Sequence, residues 1–209
     1  MTYLVLRRIV DFTIAVLVLI LISPLMIIVA IAISMDGGPV FFLQERLGLQ
    51  AKPFRVFKLR SMIVDADRFL DASGVPLQKR TTAVGEFIRK TSIDELPQLL
   101  NVIRGEMGLI GPRPILPRML PFMTDFELRR FEVLPGLTGL AQIRGRNHVP
   151  WSRRFKYDVF YVNKISFSFD TLIFWHTVKT VLFVKGIVTD RNSESVDDVT
   201  VRKVARQTP

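Results

Sequence analysis

The residues best suited to chemistry are two adjacent carboxylates, Asp94 and Glu95. Ser92 and Glu95 have the spacing of a capping box ahead of an apolar run over residues 96–103, so a helix is predicted to start here. Pro97 fits poorly beyond the first turn of a helix, which makes Asp94 the alternative cap. In either case the helix dipole favours the ionised carboxylates. Acidic residues are also common in first turns for stability alone, so the pair does not by itself identify an active site.

Composition limits the chemistry that these carboxylates could support. The chain has no cysteine and only two histidines, which excludes disulfides and thiolate metal sites and disfavours zinc. The metal that remains is a hard cation held by oxygen ligands, and Mg²⁺ fits best. A net charge of +10 predicts a polyanionic partner, which could be nucleic acid, an anionic lipid headgroup or a phosphorylated substrate.

Two basic segments could meet a phosphate. Arg113 is the only cation of a loop stiffened by two prolines, Gly111-Pro112-Arg113-Pro114, which suits bidentate phosphate binding; a plain structural turn is the alternative. Lys58 and Arg60 alternate with apolar residues at the end of a strand predicted over residues 54–59, so both could point into a cleft. A solvated edge strand protected by lysine is the commoner origin of such a pattern.

Short elements are predicted to position these side chains. The two predicted strands cover residues 40–44 and 54–59, and helices are predicted over residues 63–71, 85–90, 124–131, 152–165 and from Asp170 to residue 185. The last helix carries Trp175 and Lys179 among aliphatic residues, which suits a membrane interface as well as burial in a core. The glycine-rich residues 135–147 contain neither a P-loop nor a GxGxxG fingerprint.

An apolar run over residues 12–33 predicts a membrane segment. It is too long for a cleaved signal sequence, and as a straight helix of about 33 Å it could cross a hydrocarbon core of about 30 Å. Pro24 is expected to kink this helix, while Ser23 can bond a freed carbonyl. Basic residues flank both ends and favour the cytoplasmic side, so charge favours a helix that turns back. A proline-kinked spanning helix is the commoner structure, and the residues alone leave the two alternatives even.

Taken in order, the motifs of this chain resemble those of the small monotopic phosphoglycosyl transferases, also called bacterial sugar transferases. The resemblance covers nearly the whole chain and rests on the series, because each motif alone is weak. The motifs are Arg8-Ile9-Val10-Asp11, Ser23-Pro24, Gln44-Glu45-Arg46-Leu47-Gly48, Phe57-Lys58-Leu59-Arg60-Ser61-Met62, Arg89 with Ser92-Ile93-Asp94-Glu95-Leu96-Pro97-Gln98, Gly111-Pro112-Arg113-Pro114, Pro135-Gly136-Leu137-Thr138-Gly139, Arg146-Asn147 and Tyr157-Asp158.

The resemblance implies an α/β, mostly helical fold with a re-entrant helix-break-helix membrane anchor over residues 1–35 and a catalytic domain with interfacial amphipathic helices over residues 36–189. The polar composition of residues 190–209, which contain no aromatic residue, predicts a mobile tail. The catalytic domain is expected to face the cytoplasm from the bacterial inner membrane.

The same resemblance implies the reaction. A phosphosugar is expected to pass from a UDP-sugar to undecaprenyl phosphate with release of UMP, in the first membrane step of exopolysaccharide, O-antigen or glycoprotein glycan assembly. Mg²⁺ is the expected cofactor and nucleic acid is not an expected partner. The resemblance leaves open which sugar is moved and whether the chain forms a homodimer.

The resemblance also assigns residues to the site. Asp94 is expected to be the nucleophile that forms a covalent phosphosugar intermediate, and also a magnesium contact. Glu95 is expected to assist it in metal or proton handling, and Ser23 and Pro24 to form the break in the membrane helix. Residues expected in substrate and phosphate binding are Lys58, Arg60, Arg89, Arg113, Arg146 and Asp158.

Two positions depart from the family's pattern. Arg144 stands where asparagine is usual before Gly-Arg-Asn, which bears on sugar or nucleotide preference. Arg60 replaces a frequent lysine and keeps the charge.

Two functions of other classes also fit the composition. A non-catalytic basic membrane protein would bind anionic lipid or nucleic acid with strong salt dependence, and it would not need Asp94. A magnesium-dependent lipid-phosphate hydrolase would release inorganic phosphate without a sugar donor.

Overall fold

The computed structural model describes residues 2–69, 79–145 and 149–183. Within these residues the fold is mostly helical with two small sheets, which confirms that part of the predicted fold class. Arg146, Asn147, the end of the helix predicted over residues 63–71 and the tail over residues 190–209 lie outside the described residues. The division into anchor, catalytic domain and tail remains a prediction.

The described elements are mostly short. The strands are β1 (Phe41–Leu47), β2 (Pro53–Leu59), β3 (Gly108–Ile110) and β4 (Gly136–Thr138). The α-helices are α1 (Thr2–Ser34), α2 (Ala83–Lys90), α3 (Leu99–Arg104), α4 (Asp125–Leu128), α5 (Leu140–Gly145), α6 (Trp151–Lys164) and α7 (Phe167–Phe183). Single 3-10 turns cover Leu49–Ala51, Ala66–Phe69, Ile93–Gln98, Pro117–Phe122 and Arg129–Glu132.

The apolar run forms most of α1, which is 33 residues long and contains Pro24. A proline has no N–H, so Pro24 cannot bond the carbonyl of Ile20 four residues earlier. The Ser23 hydroxyl donates to that carbonyl at 2.8 Å, as the sequence predicted for a freed carbonyl. The helix continues through Ser23 and Pro24 without interruption. A re-entrant turn at these residues remains a prediction.

Membrane association is indicated by the outer surface of α1. By length and composition the helix could cross a membrane. It exposes large apolar side chains, including Leu21, which is 79% accessible, and exposed apolar area of this extent is characteristic of contact with lipid or another apolar surface.

Both halves of α1 pack on the rest of the protein. The N-terminal half buries Ala15 in a cluster with Val102 of α3, and the C-terminal half buries Val29 and Ile33 with Ile88 of α2. Apolar contacts therefore extend along α1 on one face while the other face stays exposed.

Polar contacts hold the two ends of α1. Near the N-terminus, Arg8 donates to the carbonyls of Ile103 and Met107 at 3.1 and 3.3 Å. At the C-terminus, Arg60 donates to the Ile33 carbonyl at 2.9 Å and pairs with Asp36. An arginine at a helix C-terminus satisfies carbonyls that have no partner within the helix.

The two sheets differ in how well the sequence predicted them. β1 and β2 pair antiparallel, with Phe42 opposite Lys58, which confirms both predicted strands. β3 and β4 pair in parallel, and neither strand was predicted from the sequence. A Cβ atom on Gly136 would lie 2.0 Å from the nitrogen of Gly111, so glycine permits this close pairing.

The acidic pair lies in the first turn of a helix, as predicted, but this helix is a 3-10 helix and both predicted side-chain caps are wrong. Ser92 adopts a left-handed conformation with φ of 60° and its side chain makes no capping bond, while Asp94 lies inside the 3-10 turn and does not cap it. Pro97 lacks the N–H that would continue an α-helix, so α3 starts only after the turn. The capping box predicted at Thr124 is confirmed, with both of its bonds to Glu127 present.

The predictions for the last two helices are confirmed in part. α6 matches its predicted range closely, but Asp170 lies within the first turn of α7 and is not its cap. Asp170 instead accepts hydrogen bonds from Tyr3 and Tyr161 at 2.6 and 2.7 Å. α7 buries Ile173 and leaves Trp175 62% accessible, so burial in the core holds for one face only.

Replacing Asn101 with alanine should destabilise the fold. The side chain of Asn101 is fully buried, accepts from the Phe57 amide at 3.1 Å and donates to the Arg55 carbonyl at 2.7 Å, so its removal leaves partly buried backbone groups of β2 without these bonds. The expected loss is about 1–3 kcal/mol in the free energy of unfolding, measured by denaturant unfolding in detergent. Asn163→Ala, at an exposed position, should change it by less than about 0.5 kcal/mol; equal effects would contradict this role for Asn101.

Candidate active site

Glu95 lies at the centre of the predicted site. Both terminal nitrogens of Arg113 donate to its carboxylate, one of them at 3.1 Å, and the Lys58 ammonium lies 3.1 Å from the same group. The Glu95 side chain is only 15% accessible. One carboxylate thus holds together two cations from separate parts of the chain.

Asp94 lies beside this ion cluster in the same 3-10 turn and is 2% accessible. Its negative charge acts on Arg113, whose pKa is raised mainly by Glu95 and further by Asp94. Arg113 is therefore fully protonated at neutral pH. The structure brings together four residues that the sequence predicted: Lys58, Asp94, Glu95 and Arg113.

The position of Lys58 follows from the attachment of β2 to α3. Asn101 of α3 bonds the backbone of β2 at Arg55 and Phe57, the residues that precede Lys58. Asn101 also donates to Glu106 at 2.7 Å, so the amide group is fixed in one orientation. This network sets the distance between the strand that carries Lys58 and the turn that carries Glu95.

The position of Arg113 follows from a second buried network. Arg130 donates to the Arg113 carbonyl at 2.6 Å and to one oxygen of Asp158 at 2.8 and 3.1 Å. Arg130 also lies against the rings of Phe131 and Phe155, at 5.5 and 5.0 Å from the ring centroids. Its guanidinium therefore anchors the backbone of the Arg113 loop.

Sequence reasoning placed Asp158 among the phosphate-binding residues and did not identify Arg130. Asp158 is 3% accessible, and burial raises its pKa to about 6 while Arg130 opposes that rise. The described contact of Asp158 is with Arg130, so it acts on Arg113 through another residue. Arg130 gave no signal because it follows Arg129 in a segment predicted as an ordinary charged helix.

The described contacts of Arg60 and Arg89 are with groups other than Glu95, and Arg146 lies outside the described residues. The Arg60 guanidinium donates to the carbonyls of Ile33, Pro39 and Met62 and pairs with Asp36, so these contacts hold α1 against the end of β2. Arg89 lies in the last turn of α2 and donates to the Thr81 hydroxyl at 3.4 Å.

The carboxylates of this site could hold a magnesium ion only together with ligands from a bound substrate and water. Within the described residues there is no group of three or more carboxylate or histidine side chains that could enclose a metal ion. Mg²⁺ is commonly bound by one or two carboxylates together with substrate phosphates and water. Asp94 and Glu95 are the carboxylates here that could supply such a ligand, and Glu95 also bonds Arg113 and Lys58.

Comparison with known proteins identifies the family. A model described as bacterial sugar transferase matches residues 2–184. The chain is 44% identical to the uncharacterized sugar transferase EpsL of Bacillus subtilis (strain 168), an alignment covering 88% of this chain and 90% of EpsL.

Two further relatives have more specific names. The chain is 38% identical to an undecaprenyl-phosphate galactose phosphotransferase of Salmonella typhimurium, over 85% of this chain but 40% of that protein. It is 37% identical to the exopolysaccharide production protein ExoY of Sinorhizobium fredii, over 86% and 87% of the two chains. The chain thus spans most of EpsL and ExoY and less than half of the Salmonella protein. It belongs to the bacterial sugar transferase family of phosphoglycosyl transferases.

Proposed function

We propose that this chain transfers a sugar 1-phosphate from a UDP-sugar to undecaprenyl phosphate, giving undecaprenyl-diphosphate-sugar and UMP. The observation that carries the proposal is the buried Asp94 beside Glu95, Arg113 and Lys58. The names of relatives support the acceptor, since one is an undecaprenyl-phosphate galactose phosphotransferase. The name of ExoY supports a role in exopolysaccharide assembly.

The proposed reaction has two displacements at one phosphorus atom. A carboxylate oxygen of Asp94 attacks the phosphorus that bears the sugar, and the bond from that phosphorus to UMP breaks with its electron pair leaving on UMP. A phosphate oxygen of undecaprenyl phosphate then attacks the same phosphorus and displaces Asp94, which regains its carboxylate. A carboxylate nucleophile splits one difficult transfer between a soluble donor and a lipid acceptor into two steps.

The residues around Asp94 supply positioning and charge. Phosphoryl transfer depends mainly on alignment and on neutralisation of the phosphate oxygens. Glu95 already holds the Arg113 and Lys58 side chains close together. These cations therefore need little reorganisation when a phosphate binds. A bound Mg²⁺, held by Asp94 and the substrate phosphates, would supply further neutralisation of phosphate charge.

We further propose that α1 is a re-entrant anchor and that the catalytic residues face the cytoplasm of the inner membrane. The contacts of α1 support this, because Arg8 near one end and Ile33 near the other both bond to the same domain. A helix crossing the bilayer would separate its two ends by the membrane thickness. Both basic flanks then remain on one side, in agreement with the positive-inside rule.

Replacing Asp94 with asparagine should abolish transfer, because the amide is nearly isosteric but is not nucleophilic. Purified protein with Mg²⁺, undecaprenyl phosphate and a panel of UDP-sugars should release UMP, and Asp94→Asn should lower the rate at least about a thousandfold. Without acceptor, intact-mass spectrometry should detect a phosphosugar adduct on the wild type and none on the variant.

The matched control is Asp125→Asn, an exposed acid in the first turn of α4, which should keep the wild-type rate. Near-normal turnover by Asp94→Asn would contradict the covalent role. No UMP release from any donor would contradict the proposed function. Inorganic phosphate released from undecaprenyl phosphate alone would indicate a hydrolase instead.

Arg113 and Arg60 should respond differently to replacement with glutamine. Arg113→Gln should raise the KM for the UDP-sugar at least about tenfold, because a charged phosphate contact is lost. Arg60→Gln should instead lower the free energy of unfolding by about 1–3 kcal/mol, since buried carbonyls at the end of α1 lose their donor. A rise in KM for Arg60→Gln as large as that for Arg113→Gln would assign Arg60 to phosphate binding.

Cysteine labelling can test the topology, because the chain has no cysteine of its own. Leu4→Cys and Met35→Cys, at positions 54% and 84% accessible, should both resist a membrane-impermeant maleimide in intact spheroplasts and react after permeabilisation. Adding Pro24→Leu, which is expected to straighten the helix, should expose Leu4→Cys to the outside. Labelling of Leu4→Cys in intact cells without that change would contradict the re-entrant anchor.

A further inference from the structure

Arg154 is an arginine near the site to which neither the sequence motifs nor the family resemblance gave a role. Its Nε donates to the Val149 carbonyl at 2.7 Å, and its guanidinium lies 4.6 Å from the centroid of the Trp151 ring. These two contacts fix the guanidinium plane. They leave the terminal nitrogens of a five-donor group for another acceptor.

The position of Arg154 on α6 directs it to the predicted site. Arg154 precedes Asp158 by four residues, so the two side chains share one helix face. On that face, Asp158 bonds Arg130, which in turn bonds the carbonyl of Arg113. Burial lowers the pKa of Arg154, and the charge of Arg113 lowers it further, while Asp158 opposes both effects.

Arg154 differs from the neighbouring arginines in its ion-pair contacts. Arg113 has Glu95 as its ion-pair partner and Arg130 has Asp158. In the part of the chain that the structure describes, no carboxylate lies within ion-pair distance of Arg154. Two guanidinium groups of like charge repel each other at short range, and an anion between them would relieve that repulsion.

We propose that Arg154 is a phosphate-binding residue of the transferase site, acting beside Arg113 on one phosphate-bearing substrate. The chemistry is recognition of phosphate oxygens by a planar, pre-oriented guanidinium, for which arginine is better suited than lysine. The diphosphate of the nucleotide-sugar donor and the phosphate of the lipid acceptor share this chemistry. The inference rests on the proposed function and adds a second arginine to its substrate contacts.

Steady-state kinetics of three variants test the proposal, with donor and acceptor varied separately. Arg154→Gln should raise the KM for one substrate by about 10- to 100-fold, as expected for loss of a charged hydrogen bond. Arg154→Lys keeps the charge but loses the planar guanidinium, so its KM should lie between those of Arg154→Gln and the wild type. Arg153→Gln is the matched control, because Arg153 is the exposed neighbour on the same helix, and should stay within about twofold.

The substrate whose KM changes identifies the ligand. A rise confined to the UDP-sugar would assign Arg154 to the donor diphosphate, and a rise confined to undecaprenyl phosphate would assign it to the lipid phosphate. Equal KM values in Arg154→Gln and Arg153→Gln would overturn the proposal. So would a fall in kcat and melting temperature with both KM values unchanged, because that outcome indicates a structural role.

Fluorescence supplies a test that does not need turnover. The chain has two tryptophans, so Trp175→Phe leaves Trp151, the ring under Arg154, as the only tryptophan, which can be excited selectively. Separate titrations with UDP and with undecaprenyl phosphate should each give a saturable change in emission, and Arg154→Gln should weaken one of these affinities at least about tenfold while Arg153→Gln leaves both intact. Equal affinities of the two variants for both probes would overturn the proposal, whereas Arg154-dependent binding without UMP release would overturn only the proposed transfer.

Discussion

The site depends on the carboxylate of Glu95, which Arg113 and Lys58 share. These three residues come from a 3-10 turn, a loop after β3 and the strand β2, which lie far apart in the sequence. Partly buried charges are tolerated when they neutralise one another, and removing one partner leaves an uncompensated charge that costs several kcal/mol. The three segments therefore have to meet at this point, and the acidic pair is held next to cations before any phosphate binds.

The elements around this cluster are joined mainly by side chains that bond backbone groups. Each described sheet has only two strands, and such small sheets have little independent stability. Asn101 bonds the backbone of β2, Arg130 bonds the carbonyl of Arg113, and Arg60 bonds the carbonyl of Ile33. Each of these residues is buried, where an unpaired backbone group would be costly. Positional precision in this fold thus comes from a few polar residues placed between short elements.

The sequence predicted what depends on local pattern or on motif order. It predicted two strands, the cap at Thr124 and the bond that Ser23 makes beside Pro24, and the family resemblance placed Lys58 in one site with Asp94 and Glu95. It did not predict the left-handed Ser92, because the spacing from Ser92 to Glu95 fits a capping box and Glu95 is instead bound by distant cations.

Residues that act through long-range contacts gave no local signal. Arg130 follows another arginine in an ordinary charged segment, and its role depends on Asp158, 28 residues away. Arg60 has the alternation of a cleft residue, yet it caps the end of α1. In both cases the sequence shows a basic residue, but the groups that this residue bonds depend on tertiary packing.

The contacts of α1 link membrane attachment to the chemistry. The helix packs on α3, which directly follows the turn carrying Asp94, and Arg60 joins its C-terminal end to the strand carrying Lys58. Because these contacts are short and mostly buried, a change in the depth or tilt of α1 would move the acidic pair and its cations together. The phosphate of the proposed lipid acceptor would lie at the membrane surface, so its distance from Asp94 would depend on where α1 lies. Under that proposal the apolar run would align the acceptor as well as attach the protein, and its packing on α3 and β2 would couple these two roles.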